Sequence, residues 1–122
     1  NDPATVNNIA SINGLTHPLM PKYSYSSSKS ALIHLTRHLG ADLAKYNINI
    51  NAIAPGFFPS KMTSHIAENE SLSAQVIERI PIKRMGAPED IAGTAIYLSS
   101  KASSWICGET IVVDGGMVSA SG

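Results

Sequence analysis

The residues of this chain best suited to chemistry are Ser11, Tyr25 and Lys29. Tyr25 and Lys29 stand four apart in a helix-like stretch, so their side chains share one face. A phenol is a weak acid, and an ammonium beside it favours the phenolate, which makes the pair a general acid/base unit. Ser11 precedes Tyr25 by fourteen residues and ends a strand-like segment. There its hydroxyl can hold a substrate oxygen against the Tyr25 hydroxyl, at the sheet edge where open α/β folds place their sites. The pair alone carries little weight, since Tyr97 and Lys101 repeat its spacing. That second pair has no serine after an upstream strand and no Pro-Gly turn following a downstream one, and it reads as surface structure. For Tyr25 and Lys29 the bland alternative is an amphipathic helix whose tyrosine packs and whose lysine snorkels. The ordered context favours chemistry: Ser11 ends a strand, the pair opens a long helix, and a second strand stops at Pro55-Gly56.

The elements that must position these groups follow from pattern. Residues 5–10 form a short strand, weakened by Asn7 and Asn8, whose amides need partners if buried. Residues 24–46 form the strongest helix, with Ser24 as N-cap, an apolar stripe at Leu32, Leu35, Leu39 and Leu43, and Asn47 suited to a left-handed end. Residues 48–53 alternate as a strand. Residues 57–71 lack a period and read as a long loop or lid, and 72–80 as a weak helix stopped by Pro81. Pro88 opens a cleaner helix with Glu89 and Asp90 in its first turn, and 110–113 form a β-branched strand closed by Asp114-Gly115-Gly116. Alternating strands and helices favour a parallel α/β sheet with helices on its faces. Three strands are few for a domain, so the chain is expected to be part of a larger one.

Several stretches carry a resemblance, in order and across nearly the whole chain. They are Asn8-Ile9-Ala10-Ser11-Ile12-Asn13-Gly14, Tyr23-Ser24-Tyr25-Ser26-Ser27-Ser28-Lys29, and Asn49-Ile50-Asn51-Ala52-Ile53-Ala54-Pro55-Gly56. Arg84-Met85-Gly86-Ala87-Pro88-Glu89-Asp90-Ile91-Ala92 and the segment 108–116 complete the set. The sequence resembles the short-chain dehydrogenase/reductase family. The resemblance implies the C-terminal, catalytic half (1–122) of a doubly wound, Rossmann-type domain that transfers hydride between NADP or NAD and a ketone or secondary alcohol. It further implies Tyr25 as proton donor and acceptor, Lys29 holding the nicotinamide ribose, and Ser11 orienting substrate. Pro55, Gly56 and Phe58 would line the nicotinamide, and Ser60 would contact its carboxamide where the family has Thr. The 55–63 loop looks most like members acting on 3-oxoacyl or related carbonyls. No G-x-G-x-x-G phosphate turn occurs in the chain. By resemblance, the long helix pairs across a two-fold axis into homodimers or homotetramers. The rival reading is a non-catalytic, truncated relative acting as a dimerisation module.

Composition narrows the classes further. The chain has 122 residues, 43% of them hydrophobic, with nine Lys and Arg against nine Asp and Glu. Zero net charge argues against a nucleic-acid partner. No apolar run approaches the roughly 20 residues of a membrane helix. His34 and His38 have the i, i+4 spacing of a metal pair but no third ligand, so no metal is expected. Cys107, the lone cysteine, is expected to be a buried small apolar residue, and the want of a signal-like opening sets a cytoplasmic expectation.

Overall fold

A computed structural model of the chain describes residues 2–16, 22–61 and 63–121. Among the described residues, β1 (Ala4–Ile9), β2 (Ile48–Pro55) and β3 (Thr110–Val113) form one parallel sheet in that spatial order. Val6 pairs with Ile50 and Ile53 with Ile111. Parallel neighbours require crossovers. Helix α1 (Tyr23–Leu43) joins β1 to β2, while α2 (Ser64–Ala67), α3 (Glu70–Arg79) and α4 (Pro88–Leu98) lie between β2 and β3. A last short helix, α5 (Met117–Ala120), follows β3. The expected α/β class is thus the observed one.

The core sits on the central strand. Ala52, Ile53 and Ala54 are fully buried in β2, and Leu98 of α4 and Ile80 close over the sheet. All four strand asparagines donate a side-chain hydrogen bond, Asn49 to the Ser104 carbonyl at 3.2 Å. Asn7 donates to Ser99, just past α4, at 2.9 Å, and Asn8 donates to Thr36 of α1 at 3.0 Å. Successive strand residues face opposite ways, so these bonds place α1 and α4 on opposite faces of the sheet. Asn51 is buried, donates to the Ile106 carbonyl at 3.0 Å and accepts from the Glu109 N–H at 3.0 Å. It ties β2 to the segment leading into β3.

Helix α1 departs from the sequence pattern at its start and along its face. It begins at Tyr23 with Lys22 in the capping position, because the Ser26 N–H bonds the Lys22 carbonyl at 3.0 Å and closes the first turn early. Ser24 is therefore inside the helix rather than its cap. The buried line is not the leucine stripe. Leu35 is 47% exposed, whereas Thr36 and Gly40 are fully covered. The cause is a close approach: a Cβ on Gly40 would stand 2.7 Å from the Gly108 Cα. Only a residue without a side chain lets α1 lie that near. The helix ends as expected, in a 3-10 turn (Ala44–Tyr46) closed by Asn47 at φ 60°.

The expected loop over 57–71 is interrupted. Helix α2 occupies part of it, and α3 starts at Glu70, where Asn69 accepts the Leu72 N–H at 3.1 Å. That asparagine cap is a local signal the periodicity obscured. Helix α4 begins at Pro88 as expected. Asp90 reaches back to accept the Ala87 N–H at 2.7 Å and the Arg84 guanidinium at 2.8 Å. Those two bonds, the arginine first, hold the Asp90 carboxyl down to about 2. Among the described residues, no helix is long and apolar enough to cross a membrane.

Candidate active site

Ser11 is positioned by the end of β1. The Ala10 N–H bonds the Ile53 carbonyl at 2.8 Å, extending the parallel ladder one residue. Ser11 then caps a 3-10 turn (Ile12–Gly14), its Oγ accepting from the Asn13 N–H at 3.1 Å. That bond uses an acceptor lone pair, so the hydroxyl proton remains available to donate. The turn is pressed onto α1. A Cβ on Gly14 would lie 2.8 Å from the Lys29 carbonyl carbon and 2.8 Å from the Ser30 nitrogen. The serine turn and the lysine turn of the helix are therefore locked together.

Lys29 leaves α1 at that contact. Its ammonium donates to the Ile9 carbonyl at 3.0 Å and lies 5.5 Å from the centre of the Tyr25 ring. An ammonium has three N–H groups, so two remain for another ligand. Among the described residues, the Tyr25 hydroxyl has no hydrogen-bond partner. Ser11, Tyr25 and Gly56 line one cavity of about 130 Å³, and Lys29 stands behind the Tyr25 ring at the strand end.

The other expected site residues are placed differently. Pro55 closes β2 opposite Val113, and it lines neither of the two cavities described here. Phe58 packs its ring on Gly86 and faces a separate cavity of about 310 Å³; Phe57 reaches both. Ser60 is exposed, its Oγ 3.2 Å from the Thr63 Oγ1. Thr63 in turn donates to the Phe58 carbonyl at 2.6 Å and lines the Tyr25 cavity. Phe57, Thr63 and His65 of the expected 57–71 lid line this cavity, whereas Lys22 was not singled out from sequence. Lys22 was within reach of the pattern, three positions before Tyr25 on one helix face. His65 carried no such signal.

The remaining candidates fall outside this centre. His38 lies 3.7 Å from Asp42 on the exposed side of α1, and among the described residues no three metal-ligating side chains gather. Tyr97 is exposed, and Lys101 lies 3.8 Å from Asp2. Cys107 is exposed rather than buried, with its Sγ donating to the Gly40 carbonyl at 3.2 Å. Asp114 accepts the Gly116 and Val118 N–H groups at 2.9 and 2.7 Å, a turn that starts α5.

With this geometry in place, comparison with known proteins is decisive. The family profile described as enoyl-(acyl carrier protein) reductase matches residues 1–118. The chain belongs to the short-chain dehydrogenase/reductase family. Among short-chain relatives, it is 42% identical over 115 residues to a rhamnolipids biosynthesis 3-oxoacyl-[acyl-carrier-protein] reductase of Pseudomonas aeruginosa, covering 94% of this chain and 45% of that protein. It is 45% identical over 93 residues to a 2-dehydro-3-deoxy-D-gluconate 5-dehydrogenase of Dickeya dadantii, covering 76% of this chain and 37% of that one. The solved Pseudomonas aeruginosa RhlG/NADP active-site complex superposes with a TM-score of 0.92 at 41% identity, over 96% of this chain and 46% of that chain. A gluconate 5-dehydrogenase from Burkholderia cenocepacia, in complex with NADP and tartrate, gives 0.87 at 33% identity, over 96% and 46%. The chain spans less than half the length of each of these short-chain proteins. Its parallel sheet with flanking helices is part of their Rossmann-type architecture.

Proposed function

We propose that this chain is the C-terminal catalytic half of a Rossmann-type oxidoreductase interconverting a small ketone and its secondary alcohol. The carrying observation is the shared cavity of Ser11 and Tyr25, with the Lys29 ammonium 5.5 Å from the tyrosine ring centre. The named NADP complexes among its relatives favour NADP, with NAD as the other choice. The donor set suits the nicotinamide ribose. Two free N–H groups on Lys29 and the unpaired Tyr25 hydroxyl match a pair of ribose hydroxyls. The chain lacks a G-x-G-x-x-G turn, so its residues address that end of the dinucleotide alone. Gly56, Pro55, Phe58 and Ser60 belong to the same proposed nicotinamide-facing segment.

The bound dinucleotide supplies or takes up the hydride. In the reducing direction, Ser11 donates its hydroxyl hydrogen bond to the substrate oxygen and fixes it beside Tyr25. The Tyr25 hydroxyl then gives its proton to that oxygen as negative charge develops there. Lys29 sets a positive charge beside the phenolate that remains. In the oxidising direction the same groups run in reverse.

The outward face of α1, with Leu35 exposed, supports pairing into a homodimer or homotetramer. A cytoplasmic protein free of membrane and nucleic-acid partners completes the proposal. The test is Tyr25→Phe in the full-length protein. The expected result is a loss of roughly 10²–10⁴ in kcat with dinucleotide still bound; near-normal turnover would overturn the proposal.

A further inference from the structure

The Tyr25 cavity has a charge character that its proposed chemistry does not use. Among the described residues, the ionisable side chains lining it besides Tyr25 are Lys22 and His65, and no Asp or Glu joins them. Lys22 comes from the residue just before α1, and His65 from α2, so the two reach the cavity from separate elements. Neither side chain makes an ion pair or a hydrogen bond among the described residues. A lysine left unpaired beside a reaction centre raises the local concentration of anions. Histidine offers an N–H donor in either protonation state. At about 130 Å³ the cavity is also well below the roughly 300 Å³ at which drug-sized pockets begin, which suits a short molecule rather than a long acyl chain.

We infer that Lys22 and His65 form a carboxylate-recognising end of the substrate site, so that the preferred substrate is a short oxo or hydroxy acid. The inference rests on the oxidoreductase reading and deepens it by naming the substrate class. Ser11 and Tyr25 hold the reacting carbonyl at one end of the cavity. Lys22 receives the carboxylate as a point charge, and His65 adds a donated hydrogen bond. Reversing the molecule would set the carboxylate against the phenolate formed at Tyr25, so Lys22 and His65 also fix the direction of entry. These are specificity residues; the proton transfer does not pass through them.

The experiment compares a charged substrate with its neutral counterpart in the full-length protein. The probes are 5-keto-D-gluconate and L-sorbose, which carries a hydroxymethyl group where the acid has its carboxylate. The wild type is expected to favour the acid by at least about tenfold in kcat/KM. Lys22→Met is expected to raise KM for the acid about tenfold, to keep kcat within about twofold and to leave L-sorbose unaffected, with Lys22→Arg restoring much of the preference. Equal use of both probes by the wild type, or an equal loss on both in Lys22→Met, overturns the inference. If the wild type reduces neither probe, calorimetric binding of D-gluconate decides instead. About tenfold weaker binding to Lys22→Met supports a carboxylate site, while unchanged binding, or none to the wild type, overturns it. Failure of the oxidoreductase reading shows separately, as turnover that survives Tyr25→Phe.

Discussion

The Lys29 ammonium donates to the backbone carbonyl of Ile9 across 3.0 Å, which joins the Tyr25 face of α1 to the end of β1. The bond does more than anchor a flexible side chain. It fixes the charge beside the Tyr25 ring and presses the helix onto the strand that delivers Ser11. The proposed acid/base pair and the proposed substrate-orienting serine therefore share one mechanical link, made by a group that also carries part of that chemistry.

Replacing Lys29 should separate chemistry from scaffold. Lys29→Met keeps the aliphatic stem but removes charge and donors, and Gly14 still holds the serine turn against the helix. We expect kcat/KM to fall at least about 100-fold and dinucleotide affinity to weaken, while the circular dichroism spectrum stays native. Lys29→Arg should restore charge but not rate, because a planar guanidinium cannot reproduce a compact ammonium between carbonyl and ring. A Lys29→Met variant with unchanged rate and affinity would remove Lys29 from the mechanism.

Ser11 has an observed structural role and a proposed substrate role, which one substitution pair can part. Its Oγ caps the Ile12–Gly14 turn, and its proton is free for substrate. Ser11→Ala removes both and is expected to cost about 0.5–2 kcal/mol in stability together with roughly 10–100-fold in kcat/KM. Ser11→Thr keeps an oxygen for the cap and should retain most of the stability. Urea midpoints and steady-state kinetics on the same two variants check this.

Much of the site was legible in the sequence because its parts lie on strongly patterned elements. Tyr25 and Lys29 share a helix face, Ser11 follows a strand, and Pro55-Gly56 ends another; alternation and helical spacing alone set those places. The stripe of leucines, readable as core or as a subunit face, did not mark the inward line of α1, because burial there is decided by contact distance. Gly40 and Thr36 face the sheet at a range no leucine fits. The loop after Gly56 was opaque for a different reason. Phe57 and Phe58 look equivalent in sequence, yet one reaches the Tyr25 cavity and the other packs on Gly86. Lys22 stands three positions before Tyr25, but His65 joins the same cavity only in three dimensions, and no periodicity could announce it.

Two helical glycines should respond to alanine with opposite signs. Alanine has the higher helix propensity, by about 1 kcal/mol, so propensity favours both substitutions. Gly93 on α4 has nothing within 4 Å of an added Cβ, and Gly93→Ala should raise stability by roughly 0.5–1 kcal/mol. At Gly40 the added carbon meets the Gly108 backbone, which cannot swing aside. Overpacking of that kind costs about 1–3 kcal/mol, so Gly40→Ala should destabilise on balance. Denaturant midpoints of the two variants check the sign, and a stabilised Gly40→Ala would show that α1 and the 107–108 segment part easily.

Asp90 gives the fold a pH dependence whose direction can be worked out. Arg84 and the Ala87 N–H hold its carboxyl down to about 2, below the roughly 4 of a free aspartate. A depressed acid stabilises the fold above its unfolded value and loses that contribution as pH falls towards the folded one. The window is therefore about pH 4 down to about 2. Asp90→Asn keeps a side-chain oxygen for the Ala87 N–H but removes the charge that Arg84 meets at 2.8 Å. The variant should melt below the wild type at neutral pH, and the gap between them should close across that window. The pair is partly exposed, so added salt should narrow the neutral-pH gap as well. Thermal melts of both proteins between pH 7 and pH 2, at low and high salt, make the comparison. A gap that stays constant through pH 3 would mean that the Asp90 charge contributes nothing to holding α4 in place.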